Sequence, residues 1–118
     1  MRVACPWFEP TIPADMADRV RPGRAPLGRL YEGLCHAGGP PATPEPEAMY
    51  ESCNFGYGRD RCPRFPGEGV ADAVRFSERA GQLLWVLEKD FGPIAHGVYD
   101  PADAGFLLRK QAEAWLKG

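Results

Sequence analysis

The sequence has no strongly basic segment and no long apolar segment. Its 118 residues carry 14 basic and 16 acidic side chains, a formal net charge of −2, and both signs are interspersed along the chain. Without a basic stripe, we do not expect non-specific binding to nucleic acid. No apolar run approaches the ~18 residues that cross a bilayer. Prolines and a glutamate interrupt residues 1–13, which therefore do not resemble a secretory signal, and we expect a cytoplasmic protein that does not enter a membrane.

Closely spaced cysteine pairs are also absent. The chain has four cysteines, at Cys5, Cys35, Cys53 and Cys62. They are separated by 29, 17 and 8 residues, whereas zinc ribbons and fingers usually contain C-x₂-C pairs. In a reducing cytosol, four cysteines are more often thiolates on a metal than two disulfides. The spacing therefore indicates an inorganic centre whose ligands come from separate segments.

The first half of the chain is poor in residues that form regular helices and sheets. Residues 1–69 hold eleven of the thirteen prolines and nine of the fourteen glycines, which disfavour long helices and ladders of backbone hydrogen bonds. Seven aromatic side chains in the same half argue against disorder. We predict a single domain over residues 1–118, in which an irregular half, 1–69, folds around a cofactor and a conventional half, 70–118, follows.

Two short helices are predicted within the first half. Apolar residues from Leu27 to Leu34 recur at i, i+3, i+4 and i+7, and a helix there would carry Cys35 in its last turn. Thr43 as N-cap and Pro44 at the first helical position predict a second helix. It would run to about residue 52 and deliver Cys53 at its carboxyl end.

Residues 70–118 have the pattern of a small α+β fold. Alternating side chains over 73–78 predict an edge strand, the apolar run 83–87 a central strand, and residues 94–99 a third strand. Asp100 as N-cap, followed by Pro101, predicts the start of an amphipathic closing helix. The expected fold class is α+β, with a small three-stranded antiparallel sheet and a C-terminal helix after the irregular half.

The cysteines point first to an iron–sulfur cluster. A [4Fe–4S] centre takes four thiolates, which can come from widely separated loops. Cys5 and Cys62 are each followed by proline, as is a ligand cysteine of bacterial ferredoxin-type sites. We predict that all four cysteines bind one [4Fe–4S] cluster. The residues predicted to surround it without binding iron are Arg59, Arg61, Arg64 and His36. Guanidinium groups there would offset the negative charge of the centre and raise its reduction potential.

Other interpretations of the same residues stay open. The main alternative is structural zinc, held by the same four cysteines or with His36 in place of one of them. Unligated thiols or disulfides are the third possibility, although plain thiols would leave residues 1–69 with little to stabilise them. The three arginines also fit solvated surface charge or pairs with Asp60.

The predicted function follows from complete cysteine ligation. Four cysteines leave no iron open to a substrate, so we predict electron transfer or redox and oxygen sensing, and no catalytic residues. The expected partner is a redox protein or a larger complex. With zinc instead, the chain would be a protein–protein interaction module.

Overall fold

The computed structural model describes residues 3–13, 26–27, 30–37, 40–57, 62, 65 and 71–117. Within these ranges the chain forms two antiparallel sheets and a C-terminal helix, a small α+β fold. The elements in chain order are β1 (Phe8–Pro13), β2 (Tyr31–Cys35), α1 (Pro46–Ala48), a π-helical turn (Met49–Cys53), β3 (Ala73–Arg79), β4 (Gln82–Lys89), β5 (Gly92–Val98) and α2 (Phe106–Lys117). No helix within the described ranges has the length and apolar character that crossing a bilayer requires.

The larger sheet has the order β3-β4-β5, which confirms the predicted three-stranded antiparallel sheet and its central strand. Both connections are tight turns. The second turn places Asp90 and Phe91 at φ 53° and 66°, and two successive positive φ values are typical of the type I′ turns that join antiparallel strands. The strand predictions therefore succeed because alternation and turn spacing agree along this half.

The smaller sheet pairs β1 with β2 and was not predicted. The helix predicted from Leu27 to Leu34 was wrong, because Tyr31–Cys35 is a strand. Burial alternates along it: Tyr31, Gly33 and Cys35 are buried and Glu32 is exposed, the period-2 pattern of a strand. Gly33 allows β2 to pair closely with β1, since a Cβ at this position would overlap the carbonyl oxygen of Glu9 on β1. Glycine also weakens a competing helix by about 1 kcal/mol relative to alanine.

Strand β1 contains prolines that the sequence pattern presents as interruptions. Pro10 and Pro13 both lie in the strand, and the register shifts between Pro10 and Ile12. Proline is tolerated in edge strands and at irregularities of this kind, because its missing N–H then removes no ladder bond. Both strands of a two-stranded sheet are edge strands, so β1 can contain prolines. The first half therefore has more regular structure than its proline content predicts.

The second predicted helix and the closing helix both begin later in the chain than predicted. The helix expected from Pro44 begins at Pro46, continues through the π-helical turn and ends at Cys53, close to the predicted end. The closing helix begins at Phe106 and not after Asp100. The Asp100 carboxylate instead accepts a hydrogen bond of 2.9 Å from the Ala102 N–H, and a separate turn precedes the helix.

The core joins both sheets to the closing helix. Ala4 pairs with Val74 of β3 through two backbone hydrogen bonds of 2.7 and 2.8 Å. The Tyr31 hydroxyl of β2 donates to the carbonyl oxygen of Ala114 in α2, at 2.8 Å. Cys5 and Cys53 belong to the same buried cluster as these residues, together with Phe8, Leu27 and Met49. Two of the four cysteines, Cys5 and Cys53, thus lie within the main core.

Candidate metal centre

All four cysteines line one cavity. Cys5 lies just before β1, Cys35 ends β2, Cys53 ends the π-helical turn, and Cys62 follows it. The other residues that line the cavity are Trp7, Ala37, Ser52 and Phe65. Cysteine spacing predicted one site from these four residues but could not show that they meet. The structure brings them together.

Three of the cysteines are placed by backbone contacts. Cys35 stands opposite Phe8 in the β1–β2 register, so the strand pair sets Cys35 beside the segment that starts at Cys5. The Cys5 N–H donates to the carbonyl oxygen of Cys53, at 3.0 Å. The π-helical turn is therefore tied directly to the start of β1. Single π turns occur frequently at functional sites.

The carbonyl oxygens of Cys5 and Cys62 accept similar backbone hydrogen bonds. The Phe8 N–H donates to the Cys5 carbonyl oxygen at 3.2 Å, and the Phe65 N–H donates to the Cys62 carbonyl oxygen at 3.1 Å. Both segments have the sequence C-P-x-F, and proline at the second position favours such turns by fixing φ. This repeat is a sequence signal that the predictions did not use, because they rested on the prolines and not on the phenylalanines.

The cavity is small and its walls are largely apolar. Its volume is about 10 Å³, about the room that one water molecule needs. Two aromatic residues, Trp7 and Phe65, are among those that line it. Cys5, Cys35 and Cys53 are buried, whereas Cys62 is partly exposed. The cavity therefore lies close to the surface on the side of Cys62.

Burial governs the ionisation of the metal-free thiols. It raises the pKa of the Cys5 thiol to about 12, against a hydrogen bond from the Trp7 backbone that lowers it, and the nearby Cys35 and Cys62 raise it further. Burial also raises the pKa of Cys53, and the other three cysteines add to that effect. Mutual repulsion of this kind between thiolates is what a bound cation removes.

Backbone N–H groups point at two of the sulfurs. The Ala37 N–H donates to Cys35 Sγ at 3.4 Å, and the Trp7 backbone donates to Cys5. In both cases the donor lies two residues after the cysteine. Such bonds favour the ionised thiolate, which is the form that binds metal.

The side chain of His36, which follows Cys35 in the sequence, contacts Glu9 and Phe106. Its Nε2 lies 2.7 Å from a carboxylate oxygen of Glu9, and its ring packs against Phe106 with the centroids 5.6 Å apart. Its contact with Glu9 directs Nε2 to that carboxylate, and its predicted role around the centre stays a prediction. The three arginines of the prediction, Arg59, Arg61 and Arg64, lie outside the described residues.

Two buried amide side chains hold the cysteine segments, and neither was predicted. Gln111 of α2 donates from Nε2 to the carbonyl oxygens of Cys5 and Phe8, at 2.8 and 2.7 Å. Asn54, directly after Cys53, accepts from the Tyr31 N–H and donates to the Tyr31 carbonyl oxygen, both at 2.9 Å. A single sequence carries no signal for such long-range pairs.

Among the described side chains, no three histidine, cysteine, aspartate or glutamate residues form a group that could hold a metal ion.

Comparison of the chain with protein-family models, with curated proteins and with solved structures finds no match. The chemistry of the site is therefore argued from its own residues: four sulfur donors around one small cavity. Soft sulfur ligands select zinc, copper(I) or iron–sulfur clusters.

Proposed function

We propose that the four cysteines hold one [4Fe–4S] cluster and that the protein transfers electrons or senses a redox signal. The observation that carries this proposal is the convergence of all four cysteines on one cavity, from segments that lie far apart in the chain. Four thiolates are the complement that a cubane cluster takes. The chain has four cysteines, the number that this cluster requires.

The surroundings of the cavity support a redox centre. The apolar walls limit access of water, and the backbone N–H groups of Trp7 and Ala37 donate towards sulfur. Hydrogen bonds to sulfur and exposure to solvent are two of the factors that set a cluster's potential. The partly exposed Cys62 brings one side of the centre near the surface, where a partner protein could exchange electrons with it.

The proposed reaction is a one-electron exchange. Cys5, Cys35, Cys53 and Cys62 would hold the cluster, which would supply the exchange of one electron with a reduced or an oxidised partner protein and would change its charge by one. With a cysteine on each iron, no coordination position would be open to a substrate. In a sensor, the same change of charge would alter the interactions of the cysteine segments with β1 and α2.

Structural zinc is a second candidate, and the size of the cavity favours it. A volume of about 10 Å³ is smaller than a cubane core, so cluster assembly has to move the four segments apart. A single zinc ion needs less room, because its bonds to sulfur are about 2.3 Å long. In that case the centre would stabilise the fold, and the protein would be an interaction module.

Metal and sulfide content separates the two candidates. The full chain is purified without oxygen, and iron, acid-labile sulfide and zinc are measured per chain, with a Cys62→Ser variant as a matched control. We expect about four irons and four sulfides in the wild type, broad visible absorption, and loss of both in the variant. One zinc without sulfide would establish the second candidate, and a chain that binds neither would refute both.

A further inference from the structure

One face of the larger sheet carries a groove. The strand register sets two rows of side chains across β3, β4 and β5, namely Arg75–Val86–His96 and Ser77–Leu84–Val98. Side chains alternate between the two faces of a strand, so both rows lie on the same face. These six residues line the groove together with Arg79, and its volume is about 680 Å³. A groove of this size falls within the range of sites that bind ligands.

The two faces of this sheet differ in what covers them. On the face opposite the groove, Val74 and Leu83 are buried, at 1 % and 7 % exposure, and Val74 belongs to the core. On the groove face, Ser77 and His96 are exposed, and Val98 keeps 50 % of its surface open to solvent. An open apolar surface that polar residues surround is typical of an interaction site.

The floor of the groove is apolar and its rim is positively charged. Leu84 and Val86 lie on the central strand and form the floor. Arg79, at the end of β3, is exposed and has no ion-pair partner among the described residues. No carboxylate in the described part of the chain lines the groove. A negatively charged group placed here would therefore meet a cation and no competing anion.

Arg75 adds little to the charge of the rim, because it is already paired. Its Nε donates to a carboxylate oxygen of Glu88 at 2.8 Å, and the other oxygen of Glu88 accepts from the Tyr57 hydroxyl at 2.6 Å. Glu88 is buried, at 3 % exposure, so its charge is held within the fold. The free charge of the groove is that of Arg79. Since the whole chain has a net charge of −2, this positive charge is a local property of the groove.

We propose that the groove binds an acidic segment of a partner protein. Apolar side chains of that segment contact Leu84, Val86 and Val98, and its carboxylates pair with Arg79 and accept from the imidazole of His96. Nucleic acid would require a wider basic surface than one arginine supplies. The inference goes beyond the proposed function and does not depend on it, because the groove and the four-cysteine cavity share no lining residue.

The first test uses peptides of matched pattern on the full chain. The probe is a short synthetic peptide that alternates glutamate with valine, titrated into the isotope-labelled protein and followed by NMR. Two control peptides alternate lysine with valine and glutamate with serine. We expect amide shifts on the groove strands with the glutamate–valine peptide, and binding weaker by about tenfold with each control. Equal binding of either control, or no shift with the probe, would overturn the proposal.

The second test changes the charge of the rim. Arg79→Gln should weaken binding of the glutamate–valine peptide by about threefold to fivefold, the range of an exposed ion pair. Arg109→Gln is the matched control, because Arg109 is an exposed arginine of α2 outside the groove, and it should bind as the wild type does. Arg79→Glu should bind the lysine–valine peptide more tightly than the wild type does. The proposal fails if Arg79→Gln and Arg109→Gln bind the probe equally.

A second copy of this chain is the competing occupant of the groove. Analytical ultracentrifugation of the protein alone detects it. A dimer that forms with rising concentration and dissociates in Arg79→Glu would make the groove a self-interface and overturn the acidic partner. A monomer that binds the glutamate–valine peptide supports the proposal. That result holds for a chain with or without metal, so failure of the proposed cluster leaves this inference standing.

Discussion

The side-chain amide of Gln111 donates a hydrogen bond of 2.8 Å to the carbonyl oxygen of Cys5, although the two residues lie 106 positions apart. The same nitrogen donates to Phe8, so one buried glutamine holds both ends of the first C-P-x-F turn. The closing helix therefore fixes the position of a proposed ligand. A disrupted helix α2 should therefore displace Cys5, a proposed metal ligand.

We expect Gln111→Leu to lower the free energy of unfolding of the metal-free chain by about 1–3 kcal/mol, because two buried carbonyl oxygens lose a donor. Urea unfolding measures the loss, and metal content should fall with it. Leu116→Gln is the matched control, since Leu116 lies on the same helix and is exposed. Leu116→Gln should change the free energy of unfolding by no more than about 0.5 kcal/mol. Equal stabilities of the two variants would show that the Gln111 contacts are dispensable.

Gly33 should be intolerant of any side chain. A Cβ there would overlap the Glu9 carbonyl oxygen and approach the Phe8 ring to 2.9 Å, which would force β1 and β2 apart. We expect Gly33→Ala to lower the free energy of unfolding by about 1–3 kcal/mol and to reduce metal content, because Cys35 lies two residues along the same strand.

Gly105 provides the control for this substitution. No atom lies within 4 Å of a Cβ built there, and the residue precedes α2. Gly105→Ala should leave thermal and urea unfolding unchanged or slightly improved, because alanine restricts the unfolded chain. A Gly33→Ala variant as stable as Gly105→Ala would contradict the close packing of the two strands.

The second half of the fold could be predicted because its signals are local. Residues 73–98 alternate or form apolar runs between tight turns, and each strand pairs with its neighbour in sequence. The closing helix was predicted from its apolar periodicity, but its start was not. Asp100 and Pro101 resemble a helix cap in sequence, and the structure uses Asp100 in a separate turn.

The first half could not be predicted because its pairing is not local. Strand β1 ends at Pro13 and β2 begins only at Tyr31, so the pair lacks the short hairpin spacing by which paired strands are recognised in a sequence. The apolar spacing over residues 27–34 also matched the helical period. Two prolines in β1 made this segment unlike a strand in the sequence. The close approach of Gly33 to Glu9, which permits the pairing, is visible only in the structure.

Cysteine count and spacing were enough to name four candidate ligands, but not their arrangement. The structure places all four around one cavity, and their binding of a metal centre stays a prediction. The supporting residues could not be named, because Gln111 and Asn54 act across the fold. The repeated C-P-x-F segments were readable from the sequence and are its most useful missed signal.

Stability of the metal-free chain should fall in alkaline solution. Burial raises the pKa of Cys5 to about 12, so the folded state keeps the thiol neutral while the unfolded chain ionises near its ordinary value. The contribution is complete below pH ~9 and is lost as the pH rises towards 12, at about 1.4 kcal/mol per pH unit. Urea unfolding of the reduced, metal-free chain between pH 7.5 and pH ~10 measures this loss.

Cys5→Ser is the control for the alkaline effect, because serine does not ionise in this range. Its unfolding free energy should depend less steeply on pH than that of the wild type, with the remainder due to Cys53, whose pKa burial also raises. Tyr57, with a pKa likewise raised by burial, contributes only at higher pH, because its ordinary value is about 10. A wild-type stability that is constant across the range would contradict the burial of these thiols.

The cysteines should differ in how much they contribute to the stability of the metal-free chain. Cys53 lies in the core at 4 % exposure, whereas Cys62 is partly exposed. If the proposed cluster is bound, both Cys53→Ala and Cys62→Ala should abolish it, because a cubane needs all four thiolates. Only Cys53→Ala should also destabilise the metal-free chain, by about 1 kcal/mol or more, since it removes buried volume.

Hydrogen exchange of the metal-loaded wild type and the two variants locates the effect. In both variants, amides of β1, β2 and the π-helical turn should lose protection, because the proposed centre would join these elements and the variants cannot form it. Amides of β3, β4 and β5 should keep most of theirs, since their ladder bonds lie within residues 73–98 and need no metal. Uniform protection across the chain after Cys53→Ala would mean that the cysteines do not hold the first half together.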